Sequence, residues 1–227
     1  MKKLINYFTK TEKLLWSLSV FIIVLSFCIF DRENYLTLAA SLIGASSLIL
    51  SAKGNPTGQA LMIVFSIIYG IISYQCRYYG EMATYMGMTM PMAVISLISW
   101  LRNPYKGKKA EVKVNTLKAV EVIFMILLTL AVSAAFYFLL KFLGTAYLEL
   151  STISVATSFA AVYLTARRSA FFALAYALND IVLIILWILA SISDFSYISV
   201  TVCFCMFLAN DIYGFINWRK MKIRQKT

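Results

Sequence analysis

The sequence predicts an all-α membrane protein with eight transmembrane helices. Three observations carry that expectation. Hydrophobic residues make up 61% of the chain and charged residues only 14%, too little polar surface to coat a soluble domain of this size. The apolar residues fall in long uninterrupted runs, near the ~20 residues a spanning helix needs, and not in the alternating strands of an outer-membrane barrel. The basic residues gather at the ends of alternate runs, as expected of a multi-pass chain.

The expected spans are residues 14–30, 35–52, 58–76, 79–101, 119–140, 148–166, 169–193 and 196–218. Span one follows Lys2, Lys3, Lys10 and Lys13 and has the look of a signal peptide. It ends in bulky Phe27-Cys28-Ile29-Phe30, with no small-residue cleavage site, so it is read as a retained helix. Residues 1–13 form either a surface-lying amphipathic helix, with Leu4, Ile5, Phe8 and Leu14 on one face, or a simple extension of span one. Pro91 interrupts the backbone ladder of span four. Pro104 and Gly107 stop that helix and open the longest connection, 102–118. Its basic run is read as a topology determinant in contact with lipid headgroups, with a regulatory partner as the alternative.

With the N-terminus inside, 18 of the 21 Lys and Arg residues fall on the cytoplasmic side, leaving Arg32, Arg77 and Lys141 outside. That asymmetry places both termini in the cytoplasm and the chain in a cytoplasmic (inner) membrane. It also accounts for the net charge of +11 without nucleic acid as a partner. Histidine is absent, which removes the usual general base and the commonest metal ligand. No metal site, no cofactor and no enzymatic activity are expected. Cys28, Cys76, Cys203 and Cys205 lie in or at the ends of apolar runs and read as packing residues.

The chain carries an internal repeat. Leu50-Ser51-Ala52-Lys53 closes span two as Leu164-Thr165-Ala166-Arg167 closes span six, and Ser99-Trp100-Leu101-Arg102 closes span four as Asn217-Trp218-Arg219 closes span eight. Three spans per half joined by one linking span give a parallel 3+1+3 repeat of the SWEET-like type, preceded by an extra N-terminal helix. The expected divisions are 1–34 (amphipathic stretch and extra helix), 35–101 (first bundle), 102–147 (basic loop and linker helix), 148–218 (second bundle) and 219–227 (basic tail).

Polar residues inside these spans are the candidate site. An Asp at mid-span costs about 2.5–3.5 kcal/mol on insertion scales, so two Asn-Asp pairs, Asn179-Asp180 and Asn210-Asp211, call for a reason. Tyr176, Asp180, Leu183 and Trp187 share one helical face, with Asn179 at its border. Asn210, Tyr213 and Asn217 share another, with Asp211 and Gly214 beside it; Glu81, Tyr85 and Thr89 line up in span four, and Tyr69 and Tyr74 point inward from span three. No Lys or Arg lies deep in any span. The carboxyls are therefore protonated, held by Asn, Tyr or backbone donors, or exposed to a hydrated cavity suited to a flat, cationic aromatic solute. A purely structural reading, in which the pairs cap or cross-link helices, stands beside this one, and so does a helix-dipole role for Glu81. Trp100 and Trp218, next to basic residues, read as membrane-interface anchors.

The runs Asn179-Asp180-Ile181-Val182-Leu183-Ile184-Ile185-Leu186-Trp187 and Phe207-Leu208-Ala209-Asn210-Asp211-Ile212-Tyr213-Gly214-Phe215-Ile216-Asn217-Trp218, with Tyr79-Gly80-Glu81, resemble the PnuC family of bacterial nicotinamide riboside transporters. The likeness extends over about residues 36–222. It implies a SWEET-like core, a homotrimer, and uptake by facilitated diffusion with alternating access, the riboside being trapped by a cytosolic kinase. It also implies that Asn179, Asp180, Trp187, Asn210, Asp211 and Tyr213 contact or shape the site. A Trp-x-x-Trp pattern of some members is not reproduced: Ile184 and Ala190 flank Trp187 at three residues. Alternatives are a carrier of thiamine, riboflavin or a deoxynucleoside, or a SWEET-like sugar carrier.

Overall fold

The computed structural model describes residues 7–75 and 79–226. Leu4 and Ile5 of the amphipathic stretch and Cys76 of the expected third span lie outside them. Eight helices among the described residues are long and apolar enough to cross a membrane. They are α1 Lys10–Phe30, α2 Tyr35–Ala52, α3 Thr57–Gln75, α4 Tyr79–Leu101, α5 Ala119–Phe142, α6 Leu148–Ala166, α7 Phe172–Ser191 and α8 Ile198–Arg224, the last entered through a 3-10 turn, Phe195–Tyr197.

The ends depart from expectation where caps decide them. α1 begins at Lys10 because Thr9 and Glu12 form a capping box: Glu12 N donates to Thr9 Oγ1 at 3.2 Å and Thr9 N to Glu12 Oε2 at 2.7 Å. Residues 10–13 thus extend span one. α8 runs past Trp218 to Arg224, so most of the basic tail is helical. Within α4, Tyr85–Thr89 is a π-helical turn just before Pro91, with Met90 N bonded to Tyr85 O. A widened turn is a usual way to absorb a residue without an N–H.

The connection after α4 is not a bare loop. Pro104–Tyr105 (β1) and Lys108–Val112 (β2) pair antiparallel across a turn in which Lys106 and Gly107 both have positive φ. The hairpin is sewn into the bundle: Val112 N donates to Gly54 O (2.9 Å), Lys113 N to Asn103 O (2.8 Å) and Asn115 N to Arg168 O (2.9 Å).

Packing follows the repeat. α3 contacts α2 and α4, and α7 contacts α6 and α8; the two triplets meet along two seams, α2 with α8 and α4 with α6. Helix α1 lies against α2 and α8, while α5 lies against α6 and buries only Leu140. At Gly44 an added Cβ would sit 2.4 Å from the Phe207 ring, so the α2–α8 approach depends on the missing side chain.

The two seams are closed by the same chemistry at the end that carries the basic connections. Trp100 Nε1 donates to Thr165 O and Trp218 Nε1 to Ser51 O, both at 2.8 Å. One residue away, Ser99 Oγ donates to Ala166 O (2.7 Å) and Asn217 Nδ2 to Ala52 O (2.8 Å). The two indoles lie against each other at 5.3 Å, and both are fully buried. The interface-anchor reading of Trp100 and Trp218 is thereby corrected: each finds its hydrogen-bond acceptor in the opposite triplet, not at the lipid surface.

Candidate solute-binding site

At the opposite end, the start of α4, the 143–147 loop, the start of α6 and the end of α7 enclose a cavity of about 450 Å3. Glu81 and Trp187 face it, with Tyr79, Thr145, Tyr147, Ser151 and Ser193 completing the polar part of the wall. The loop turns sharply, with Gly144 and Tyr147 both in the left-handed region, and this brings Thr145 up against Gly80. Trp187 comes from the penultimate turn of α7 and packs at a tilt against Tyr197, with ring centroids 5.4 Å apart. No Lys or Arg is among the described lining residues.

Below the cavity lies a buried aromatic and acidic layer. Tyr85 stacks obliquely on Tyr69 (4.4 Å) and meets Phe65 edge-on (5.8 Å). Tyr85 is within electrostatic reach of both Glu81 and Asp180. The Asp180 and Asp211 carboxyls lie against each other between α7 and α8, each 4% exposed. Tyr176 is within electrostatic reach of both and lies beside Thr165, whose carbonyl holds Trp100. A line of polar side chains thus runs from Glu81 through Tyr85, Asp180, Asp211 and Tyr176 to the closed end.

Three expected residues face elsewhere, and the polar-face reading must be corrected for them. Asn179 Oδ1 accepts from Ser154 Oγ (3.2 Å) and Thr157 Oγ1 (2.9 Å), tying α7 to α6. Asn210 Nδ2 donates to Ser19 Oγ (2.9 Å) on α1 and to Met206 O. The Tyr213 hydroxyl donates to Glu12 (3.0 Å), which also receives Lys53 at 2.8 Å. α1 therefore occupies the surface of α8 that had been expected to face solute. The helical period put Asn210 and Tyr213 on one face of α8 but gave no sign that a third helix covers it. The 143–147 wall was missed because a short polar connection has no periodicity; only Gly144 marked the turn.

An apolar scaffold that seats one carboxylate and one indole in a solute-sized cavity, sealed at one end between two helix triplets, defines a small-solute membrane transporter. Residues 34–220 match the model of the nicotinamide mononucleotide transporter family, and the chain belongs to that family. It is 24% identical over 198 residues to the nicotinamide riboside transporter PnuC of Neisseria mucosa, covering 85% of this chain and 75% of that protein. Its fold is similar to the crystal structure of the vitamin B3 transporter PnuC, with a TM-score of 0.83 and 22% identity over 96% of this chain and 94% of that one.

Proposed function

We propose that the chain carries nicotinamide riboside, a flat pyridinium cation on a ribose, across the cytoplasmic membrane. The single observation that carries this reading is the pairing of Glu81 with Trp187 in a cavity without a described basic side chain. A cation over an indole gains about 0.5–2 kcal/mol, and the carboxylate supplies the counter-charge. The same lining disfavours the mononucleotide that the family is named for, since a phosphate would enter beside Glu81 with no cation to meet it. The riboside named for the Neisseria mucosa relative fits this chemistry.

In this reading Glu81 and Trp187 hold the ring. Tyr85, Tyr69, Asp180, Asp211 and Tyr176 line the onward path, while Asn179, Asn210 and Tyr213 shape the site from behind. Two bundles, 35–101 and 148–218, joined by 102–147, rock against each other, while 1–34 and 219–227 lie outside the moving core. Transport is facilitated diffusion, drawn inward by cytosolic phosphorylation. Both termini are cytoplasmic, and the working unit is a homotrimer. Proteoliposome uptake tests this directly. Labelled riboside enters down its gradient without a proton gradient, unlabelled riboside competes, and free sugars and the mononucleotide do not. Competition by sugars alone would replace this reading with the sugar carrier. Accumulation that appears only when a proton gradient is imposed would replace facilitated diffusion with proton coupling.

A further inference from the structure

The two seams share one closure but differ in everything around it. At the α2–α8 seam, α1 runs alongside as a third helix. Glu12, 2% exposed, takes Lys53 from the end of α2 and Tyr213 from α8 at once. Higher on the same helix, Trp16 Nε1 donates to Ser46 Oγ on α2 (3.1 Å), and Ser19 receives Asn210 from α8. One helix thus grips both sides of that seam at two levels, and Phe207 fills the space left by Gly44 between them.

The α4–α6 seam has no such polar clamp among the described residues: α5 packs along α6 and reaches α4 only through apolar contacts, with Leu140 beside Gly80 and in one cluster with Met88. Among the described residues its polar brace sits at the basic end, where Arg168 donates to Ser99 Oγ (2.9 Å) and to Lys113 O (3.2 Å). The cavity opens at this seam: Tyr79, Gly80 and Glu81 of α4 and Ser151 of α6 stand on its two sides. The π turn and Pro91 also fall in the α4 wall of this seam, and an added Cβ at Gly87 would meet nothing within 4 Å.

We infer that the α4–α6 seam is the moving one, and that Trp100 is the exit gate. The Trp100–Thr165 and Ser99–Ala166 bonds break to release solute at the basic end. The matching Trp218–Ser51 and Asn217–Ala52 bonds stay made, because α1 pins α2 to α8 and turns that seam into a hinge. The repeat supplies two equivalent gates, and the added helix selects one of them. Trp100 and Trp218 touch no solute; they act by holding helix ends. This inference rests on the transport reading above.

Cross-linking across each seam, in protein whose native cysteines are replaced, tests it. The Ser99→Cys/Ala166→Cys pair bridges α4 to α6. The Ala52→Cys/Gly214→Cys pair bridges α2 to α8, where an added Cβ at Gly214 would stand 3.5 Å from Ala52 Cβ, within disulfide reach. A short bifunctional thiol reagent serves both pairs. Linking the α4–α6 pair takes riboside uptake into proteoliposomes down to the protein-free rate, with recovery on reduction. Linking the α2–α8 pair leaves uptake in place. Loss of uptake on linking α2–α8, or its persistence on linking α4–α6, overturns the assignment.

A second measurement reads the gate without transport. Ala161→Cys lies one turn deeper on α6 than Thr165, and Ser47→Cys one turn deeper on α2 than Ser51; both native residues are fully buried. Trp100→Phe, which keeps a ring and removes the N–H, raises the labelling of Ala161→Cys by an impermeant thiol reagent. Trp218→Phe leaves Ser47→Cys unlabelled. Equal labelling at both positions overturns the one-seam gate. If the parent protein moves no riboside, the transport reading fails, and this labelling still reads the gate separately.

Discussion

The two ends of the molecule are built from the same kinds of residue and behave in opposite ways. At the basic end two tryptophans are completely buried, each indole N–H is bonded to a carbonyl of the other triplet, and a hairpin is stitched over them. At the far end a third tryptophan, Trp187, has one side against Tyr197 and another on a cavity about 450 Å3 in volume. Where backbone acceptors from two helix ends converge on an indole, tryptophan is a fastener. Where a loop in left-handed conformation holds the helix starts apart, it becomes a wall for solute. Lipid supplies no hydrophobic force to distinguish these ends, so the distinction rests on packing and on which polar atoms find partners.

The comparison breaks most readily at Glu12. Glu12→Ala leaves Lys53 largely buried without its carboxylate and removes the Tyr213 acceptor, costing about 3–5 kcal/mol. A large fall in Tm is expected, and Glu12→Ala/Lys53→Met recovers part of it. A Tm within a degree or two of the parent's would show that α1 does not grip the seam. Trp187→Ala acts at the open end. It lowers riboside affinity by about 2 kcal/mol, roughly 30-fold, and lowers Tm as well, because the indole is also buried in the core against Tyr197; Trp187→Phe keeps part of both. The smallest effect belongs to the fasteners. Trp218→Phe loses one neutral hydrogen bond, about 1 kcal/mol, visible as a lowered Tm with unchanged riboside affinity. A fall in affinity instead would mean that the closed end also contacts solute.

Much of the fold was legible because its cause is local. Run length and hydropathy set the spans, and α2, α4 and α6 match the expected bounds. The repeat could be read from Ser51-Ala52 against Thr165-Ala166, and from Trp100 against Trp218. The sequence did not reveal that these four segments bind one another, since a tryptophan beside an arginine reads equally well as a lipid anchor. The hairpin stayed hidden because strands of two and five residues in a basic loop carry too weak an alternation. Of the candidate cavity, the lining residues Glu81 and Trp187 were picked out by residue type within apolar spans. Asn210 and Tyr213 were misread because helical periodicity reports a polar face without reporting what covers it, and α1 covers this one.

The central claim is that a carboxylate in the open cavity answers a positive charge on the solute. The most direct measurement is equilibrium binding of nicotinamide riboside and of its neutral dihydro form to the purified protein and to Glu81→Gln. The substitution should weaken binding of the cation by about tenfold, the worth of one partly hydrated charge contact, and leave the neutral form unaffected. Equal losses for the two forms, or none for either, would contradict it.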